Sequence, residues 1–187
     1  MSRLASILLA SLVFLTACTT ATPPPVGTDG KPLPRLYRIS DRDAPKIKFR
    51  VLDSVNSLRQ AAGVPAVELN SELTAAAATH SRDMANQNRP WHFGSDGSSP
   101  IDRVRRVGYD GRLVGEVISE TYETELETLA AWMQKGDTRA VILDPTARDL
   151  GLSWYQEDNG KIWWSMVLGA PSAPVVSMVG SKSVSHF

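Results

Sequence analysis

The sequence predicts an α/β (α+β) fold, a three-layer α-β-α sandwich with a mostly antiparallel sheet. Two observations lead to this prediction. Segments with helical periodicity come first in the chain, and strand-like segments follow, the last two of which flank a hairpin turn. Helices and an antiparallel sheet bury their apolar faces together when they stack in layers around one core.

Four segments have the apolar spacing of helices. They are residues 46–62 before Gly63, a helix capped by Asn70, a short helix that starts at Ser99-Pro100 and ends before Gly108, and a helix carrying Leu126, Leu129, Ala130 and Met133. The second helix places His80 on its apolar face with Leu73, Ala77 and Met84. That face is predicted to lie in the core.

Three strands are predicted, at residues 112–120, 149–156 and 161–169. Between the last two, Asp158-Asn159-Gly160 predicts a hairpin with a type I′ turn, since Asn-Gly tolerates positive φ angles. Trp154, Trp163 and Trp164 lie on these strands. We expect them to pack in the core or on the sheet face, with a ligand-stacking platform as the alternative.

The N-terminus has the features of a bacterial export signal. Arg3 precedes the uncharged segment Leu4–Ala17, which is shorter than the roughly 20 apolar residues that span a bilayer. The segment ends Leu-Thr-Ala-Cys, which resembles the lipobox of bacterial lipoproteins. We therefore expect cleavage after Ala17 and lipidation of Cys18, with an ordinary signal peptide and a buried thiol as the alternative.

The composition divides the chain into four parts. Residues 1–17 are predicted to be the lipoprotein signal peptide, 18–44 a lipidated Pro-rich tether, 45–170 the folded domain and 171–187 a flexible tail. Cys18 is the single cysteine, so no internal disulfide is possible. Thr19, rather than Asp, follows the cysteine, which favours anchoring at the outer membrane, with the protein facing the periplasm or the exterior. The expected partner is then the membrane, through the lipid.

The charge balance argues against nucleic-acid binding. The chain has 20 Lys and Arg against 20 Asp and Glu, whereas nucleic-acid-binding proteins have a basic surface. One basic cluster exists, Arg103, Arg105, Arg106 and Arg112, interspersed with Asp102 and Asp110. We expect it to be a solvated helix face, with an anion-binding surface as the alternative.

Short motifs occur in order along almost the whole domain. They include Val55–Arg59, Gly63–Ala66, Leu69-Asn70, Ala77–Met84, Trp91–Phe93, Ser95–Pro100, Gly108-Tyr109, Gly115–Ile118, Trp132-Met133, Ile142-Leu143 and Gly151. The ordered set resembles the bacterial CAP superfamily, which unites cysteine-rich secretory proteins, antigen five and plant pathogenesis-related proteins. The resemblance implies that family's α-β-α sandwich.

The resemblance also implies a site. Family members that keep the full site carry two histidines and two acidic residues around a central cleft. By motif, the first His is His92 and the first acid is Glu116. The second His position falls on Thr138, beside Asp137, and the second acid position falls on Lys135, so these three residues are weaker candidates and half of the tetrad is missing.

The residues themselves give a reason to pair His92 with Glu116. Glu116 lies between Val114 and Ile118 on the alternation of a strand, so its carboxylate shares an apolar face. A carboxylate there must find a partner or take up a proton. A partner such as His92 would lower the pKa of Glu116, and such a pair can serve acid–base catalysis, ligand binding or structure alone.

No cofactor is expected. Zinc sites take three or four His, Cys or carboxylate ligands, and the chain has only His80, His92 and His186, of which His80 is expected in the core. Tightly held zinc is therefore not expected, although weak zinc binding is possible. No nucleophile motif is present either.

Three functions remain open. The leading hypothesis is a non-catalytic domain on a membrane that binds a lipid, a peptide or a peptidoglycan fragment in a cleft around His92 and Glu116. The second is an envelope hydrolase with His92 as general base, oriented by Glu116. The third is a structural lipoprotein.

Overall fold

The computed structural model describes residues 36–172. In this range the helices are α1 Ala44–Ala61, α2 Ser71–Gln87, α3 Pro100–Arg106, α4 Glu125–Gln134 and α5 Gly136–Ile142, and the strands are β1 Glu68–Leu69, β2 Arg112–Thr121, β3 Asp149–Gln156 and β4 Ile162–Ala170. The four predicted helices and three predicted strands are present. The sequence patterns did not predict the two-residue β1 or the short α5.

The strands form one sheet in the order β1-β3-β4-β2. β1 is parallel to β3, and the β3–β4 and β4–β2 pairs are antiparallel, so the sheet is mostly antiparallel as predicted. Every residue of β4 is buried. The central position of β4 explains this burial, since side chains on both of its faces meet a helical layer.

Helices cover both faces of the sheet. On one face, α1, α4 and α5 pack on the strands through a cluster that includes Ile47, Val55, Leu129, Ile142, Val117, Leu152 and Met166. On the other face, α2 and α3 contribute Leu73, Ala77 and Val104, which pack around Val167. The predicted three-layer α-β-α sandwich is confirmed.

Side-chain caps fix where three helices start. The Asn70 side chain accepts a hydrogen bond from the amide of Leu73 at 2.8 Å, as its residue type predicts. Ser99 and Thr124 each form a capping box with an acidic residue three positions on. Gly108, just past α3, has a φ of +83°, a conformation that favours glycine.

The stripe of α4 that faces the core includes polar residues. Leu129 is buried, but Leu126 and Ala130 are exposed, and the stripe that faces the core contains Glu125, Thr128, Leu129 and Trp132. Polar anchors explain this orientation. The indole of Trp132 donates to the carbonyl of Ile118 at 3.0 Å, and the Glu125 carboxylate accepts from the Tyr37 hydroxyl at 2.7 Å.

The β3–β4 hairpin is confirmed, but its turn is not type I′. A type I′ turn needs positive φ at both central residues, and Gly160 alone in this loop has one, at +93°. The amide of Gly160 donates to the carbonyl of Glu157 at 2.8 Å, and the amide of Glu157 donates to the carbonyl of Lys161 at 2.9 Å. This is the pattern of a three-residue loop that ends in a glycine bulge.

The tryptophans of this hairpin pack as predicted. Trp163 and Trp164 are fully buried, and the Trp154 and Trp164 rings lie 5.2 Å apart between their centroids. The indole N–H of Trp163 donates to Glu157 at 2.7 Å. Two of the three rings therefore offer no surface on which a ligand could stack.

The folded part of the chain starts earlier than residue 45. Residues 36–43, placed in the tether by composition, contact the domain: the Ile39 amide donates to the Gln156 side chain, which in turn donates to the Tyr37 carbonyl. These hydrogen bonds and the aromatic ring of Tyr37 give the segment partners that its composition does not reveal.

Residues 1–35, with the predicted signal, Cys18 and most of the tether, lie outside the described residues, as do tail residues 173–187. Across residues 36–172, no helix has both the length and the apolar character needed to cross a bilayer.

Candidate functional site

The site is organised around the carboxylate of Glu116. Strand β2 places this side chain beside Val167 of β4, on the sheet face that α2 and α3 cover. Only 2% of the side chain is exposed. A carboxylate at this depth needs partners, as predicted. The predicted alternation is wrong for Val114, because a β-bulge between Leu113 and Gly115 places Val114 in the cluster on the opposite face.

Three cationic or polar side chains reach this carboxylate. His92 Nδ1 lies 2.9 Å from Oε1, and Arg103 Nη2 lies 2.9 Å from both carboxylate oxygens. His80 Nε2 lies 3.5 Å from Oε1 and closer, at 3.0 Å, to the backbone carbonyl of Trp91. The predicted pairing of His92 with Glu116 is present, and the structure adds Arg103 and His80 to it.

The surroundings keep Glu116 ionised. Burial alone would raise its pKa, but the hydrogen bond with His92 and the charge and hydrogen bond of Arg103 outweigh burial and hold the pKa below its ordinary value of 4.5. An ionised carboxylate can only accept hydrogen bonds. The pKa of Glu116 is therefore shifted in the predicted direction.

This ionisation fixes how His92 is presented. Because the Glu116 carboxylate only accepts, Nδ1 of His92 is the protonated ring nitrogen that donates to it. Nε2 is left for an external partner. The His92 side chain is 49% exposed, so the imidazole connects a buried charge to the protein surface.

Arg103 corrects the interpretation of the basic cluster. Its side chain is 4% exposed and does not lie on a solvated face. Besides Glu116, the guanidinium donates to the carbonyl of Ser98 at 3.1 Å and to the carbonyl of His92 at 3.0 Å. Arg103 therefore holds both the carboxylate and the backbone of the histidine that the carboxylate orients.

The other arginines of the cluster match the expectation of a solvated face. Arg105, Arg106 and Arg112 are exposed. The amino-acid sequence contains one signal that a cation is needed nearby, the carboxylate on an apolar strand face. It does not specify which of four neighbouring arginines turns inward, since this depends on how α3 packs against β2.

His80 is buried as predicted, and it is neutral. Burial lowers its pKa, and the attraction of Glu116 only partly opposes this effect. Nε2 donates to the carbonyl of Trp91 at 3.0 Å, so Nδ1 carries the lone pair. Nδ1 has no hydrogen-bond partner among the described residues. The contact with Glu116 is therefore a polar contact of a neutral ring, not an ion pair.

The weaker candidates lie at the junction of α4 and α5. Thr138 donates through its hydroxyl to the carbonyls of Trp132 and Lys135, and Asp137 accepts from the Thr138 amide at 2.8 Å. Within the described part of the chain, no hydrogen bond or ion pair joins Lys135, Asp137 or Thr138 to Glu116. Their roles remain predictions.

The residues around Glu116 do not fit a zinc ion. Both carboxylate oxygens already bind the Arg103 guanidinium, whose positive charge opposes a second cation, and Nδ1 of His92 is also committed to Glu116. The second His position holds Thr138. A metal would therefore have only Nε2 of His92 as a free nitrogen ligand from the tetrad positions, fewer than zinc requires.

The arrangement can do two things chemically. It can present Nε2 of His92 as a fixed hydrogen-bonding group for a ligand, or it can use the same nitrogen as a base whose orientation Glu116 maintains. Exposed Phe93 lies next to this imidazole in the chain, and its ring centroid is 5.7 Å from that of Trp91. A polar group beside aromatic surface is typical of small-molecule sites.

Comparison with known proteins identifies similarity in both sequence and fold. The family model of the cysteine-rich secretory protein family (CAP) matches residues 52–168. The chain is 28% identical over 120 residues to the uncharacterized protein YkwD of Bacillus subtilis, an alignment that covers 64% of this chain and 46% of that protein. The chain thus spans less than half the length of this curated relative.

Three solved structures share the fold. An outer surface protein from Borrelia burgdorferi has a TM-score of 0.64 at 14% identity and is matched over 100% of its chain and 74% of this one. An extracellular protein with an SCP domain from Bacillus anthracis has a TM-score of 0.59 at 21% identity, over 71% of this chain and 44% of that one. A cysteine-rich secretory protein from Staphylococcus aureus has a TM-score of 0.57 at 12% identity, over 76% and 44%. With a family model that matches more than half of its length, this chain belongs to the cysteine-rich secretory protein (CAP) family.

Proposed function

We propose that this chain is a lipid-anchored protein of the bacterial envelope whose CAP domain binds a ligand, without turning it over, in the cleft around His92 and Glu116. The anchor is a lipid on Cys18 at the outer membrane, and the ligand is a lipid, a peptide or a cell-wall fragment. An extracytoplasmic location has support from two relatives, one an outer surface protein and one an extracellular protein.

The observation that carries the binding proposal is the complete engagement of Glu116. Both of its oxygens bind Arg103, and one also binds His92. A carboxylate held ionised in this way is a poor proton donor. Its role is to keep the imidazole of His92 in one orientation and one tautomer, which suits a group that recognises a ligand.

The surface beside His92 supports the same proposal. Phe93 exposes 49% of its area, and Trp91 is fixed by a hydrogen bond from its indole N–H to Gln87 at 2.9 Å. Aromatic groups supply apolar contact area, while Nε2 of His92 supplies one directed hydrogen bond. Recognition by this surface needs no second acid or base.

Isothermal titration calorimetry on the full chain in detergent tests the proposal. The probes are phosphatidylglycerol in mixed micelles, tetra-alanine and muramyl dipeptide. We expect one probe to bind, and the affinity to fall about tenfold in His92→Ala because a directed hydrogen bond is lost. Phe49→Ala is the control, since Phe49 is an exposed aromatic residue on α1, which packs on the opposite face of the sheet.

The heteronuclear NMR signals of the His92 ring give a second readout. Binding in the cleft should shift the Nε2 resonance and leave His80 unchanged. Equal affinities in wild type, His92→Ala and Phe49→Ala would exclude the cleft as the binding site.

A hydrolase is the second candidate, and one observation favours it. His92 and Glu116 have the geometry of a base oriented by a carboxylate, with the imidazole half-exposed. This function predicts turnover of peptidoglycan or unstructured peptides, a pH dependence set by one histidine, and loss of turnover in His92→Ala. If neither binding nor turnover is found and the variants change stability alone, the structural role is the remaining one.

A further inference from the structure

A second, polar depression lies next to the His92 site. It is a groove of about 500 Å³ between the exposed side of α2 and the loop 94–98 with α3. Its principal lining residues are Arg82, Asp83, Asn86, Ser95, Asp96 and Arg106. His92 and Glu116 are not among the residues that line it.

The carboxylates of this groove are already bound to donors. Asp83 accepts from the amide and the hydroxyl of Ser95, both at 2.7 Å, and from Gln87 at 3.1 Å. Asp96 accepts from the amide of Ser98 at 3.0 Å and from Arg106 at 2.8 Å. Hydrogen bonds from Ser98 and then from Arg106 lower the pKa of Asp96 far below its ordinary value. Both acids therefore act as supports for the loop and α3.

Two side chains of the groove have hydrogen-bonding groups without a partner among the described residues. Arg82 makes no hydrogen bond or ion pair within residues 36–172, and its guanidinium lies 5.1 Å from the centre of the Tyr155 ring. Asn86 follows four residues later, so it lies on the same side of α2 one turn along, and its amide also has no partner in that range. Stacking on Tyr155 limits the directions in which Arg82 can point.

The groove also holds one guanidinium that no carboxylate neutralises among the described residues. Of the three arginines that line it, Arg103 pairs with Glu116 and Arg106 pairs with Asp96, which leaves Arg82. Neither aspartate pairs with Arg82 in the described range, so this guanidinium lacks an anionic acceptor. A guanidinium pairs in a planar, two-bond geometry with a carboxylate or a phosphate.

We propose that this groove is an oxyanion site that binds the carboxylate of a peptide through Arg82 and Asn86, with Arg106 on the facing wall. The site is separate from the cleft at His92, so this inference goes beyond the proposed function. The two are adjacent through Arg103, which lines the groove and also binds Glu116. An occupied groove therefore contacts the residue that holds Glu116 in place.

Titration of the full chain in detergent tests the groove with three probes: acetyl-Ala-Ala with a free carboxylate, its C-terminal amide, and inorganic phosphate. We expect the free acid to bind with a stoichiometry of one and the amide not to bind. Arg82→Gln should weaken binding of the acid about tenfold or more, because a charged hydrogen-bonded pair is lost. Binding should also weaken as salt increases.

Arg105→Gln is the matched control, since it removes the same charge from an exposed residue of α3 that does not line the groove. Its affinity should stay within about twofold of wild type, because an exposed charge outside the site contributes little. Phosphate binding that also depends on Arg82 would support the oxyanion chemistry and reject selectivity for carboxylate. Equal affinities in Arg82→Gln and Arg105→Gln, or no binding of either anion at millimolar concentration, would overturn the proposal.

His92→Ala separates this inference from the proposed function. The variant should keep its affinity for acetyl-Ala-Ala, whatever becomes of the ligand at the cleft. Loss of dipeptide binding in His92→Ala, together with normal binding in Arg82→Gln, would place the anion at His92 and refute the groove.

Discussion

Replacing Arg103 by Met tests whether this arginine supports the site as the structure indicates. The variant keeps an unbranched apolar chain of similar length and removes the guanidinium, which leaves a carboxylate that is 2% exposed without its main counter-charge. Removing one partner of a buried ion pair costs about 3–5 kcal/mol of unfolding free energy. The hydrogen bonds to the Ser98 and His92 carbonyls are lost as well, at about 1 kcal/mol each.

The histidines reduce this cost. His92 still donates to Glu116, and the N–H of His80 lies within 3.5 Å of it. We therefore expect a net loss of about 4 kcal/mol, near the middle of the range for a broken buried pair. The double variant Arg103→Met/Glu116→Leu should recover about 2 kcal/mol or more, because no buried charge remains.

The effect should depend on pH. In the wild type the folded-state pKa of Glu116 is lowered, so its stabilising contribution is complete above the ordinary value of 4.5 and is lost as the pH falls through the folded-state pKa. Without Arg103, its charge and its hydrogen bond no longer lower the pKa of this carboxyl group, so that pKa rises. The deficit of Arg103→Met should therefore shrink between neutral pH and about pH 5, as Glu116 takes up a proton.

Urea unfolding of the full chain, followed by the fluorescence of the buried tryptophans, measures these free energies. A loss below about 1 kcal/mol in the single variant would mean that Arg103 does not neutralise Glu116. A double variant that is as unstable as the sum of the two single variants would refute the pairing itself.

Three further predictions concern α2 and its packing. Gly151→Ala should destabilise the domain by about 3 kcal/mol or more, because a Cβ atom there would overlap the backbone of Leu73 and Thr74; an unfolding midpoint equal to wild type would contradict this close contact. Asn70→Ala should cost about 1 kcal/mol in urea unfolding through loss of the helix cap, while Asn70→Ser should cost much less. His80 has a lowered folded-state pKa, so the unfolded chain binds its proton more readily and stability should fall as the pH drops below about 6.5; His80→Gln should make this slope shallower, and an unchanged slope would show that the ring is not buried in its neutral form.

Local signals in the sequence predicted most of the elements correctly. Asn70 and Ser99-Pro100 mark helix starts because capping requires only residues near in the chain. The hairpin at residues 158–160 was predicted for the same reason. Its turn type was not, because Asn-Gly is compatible with more than one turn and the actual one depends on which hydrogen bonds close the loop.

The errors concern contacts between distant parts of the chain. Tyr37 was placed in the tether because its neighbours are rich in proline and charge, yet its hydroxyl binds Glu125 from 88 positions away. Apolar spacing identified α4 but not the stripe that it buries, because a polar residue such as Glu125 can be buried when a partner such as Tyr37 is supplied. No periodicity in one segment contains that information.

The same distinction between local and long-range information applies to the candidate site. The sequence by itself determined that Glu116 lies in a largely apolar strand and needs a partner, and that His80 lies on a buried helix face, because both follow from the pattern of a single element. Only the tertiary structure decided that Arg103 is the main partner and that His80 lies beside the same carboxylate. Residue type cannot distinguish the four arginines in and near α3. The packing of α3 on β2 decides that Arg103 turns inward, and it brings this guanidinium to 2.9 Å from Glu116.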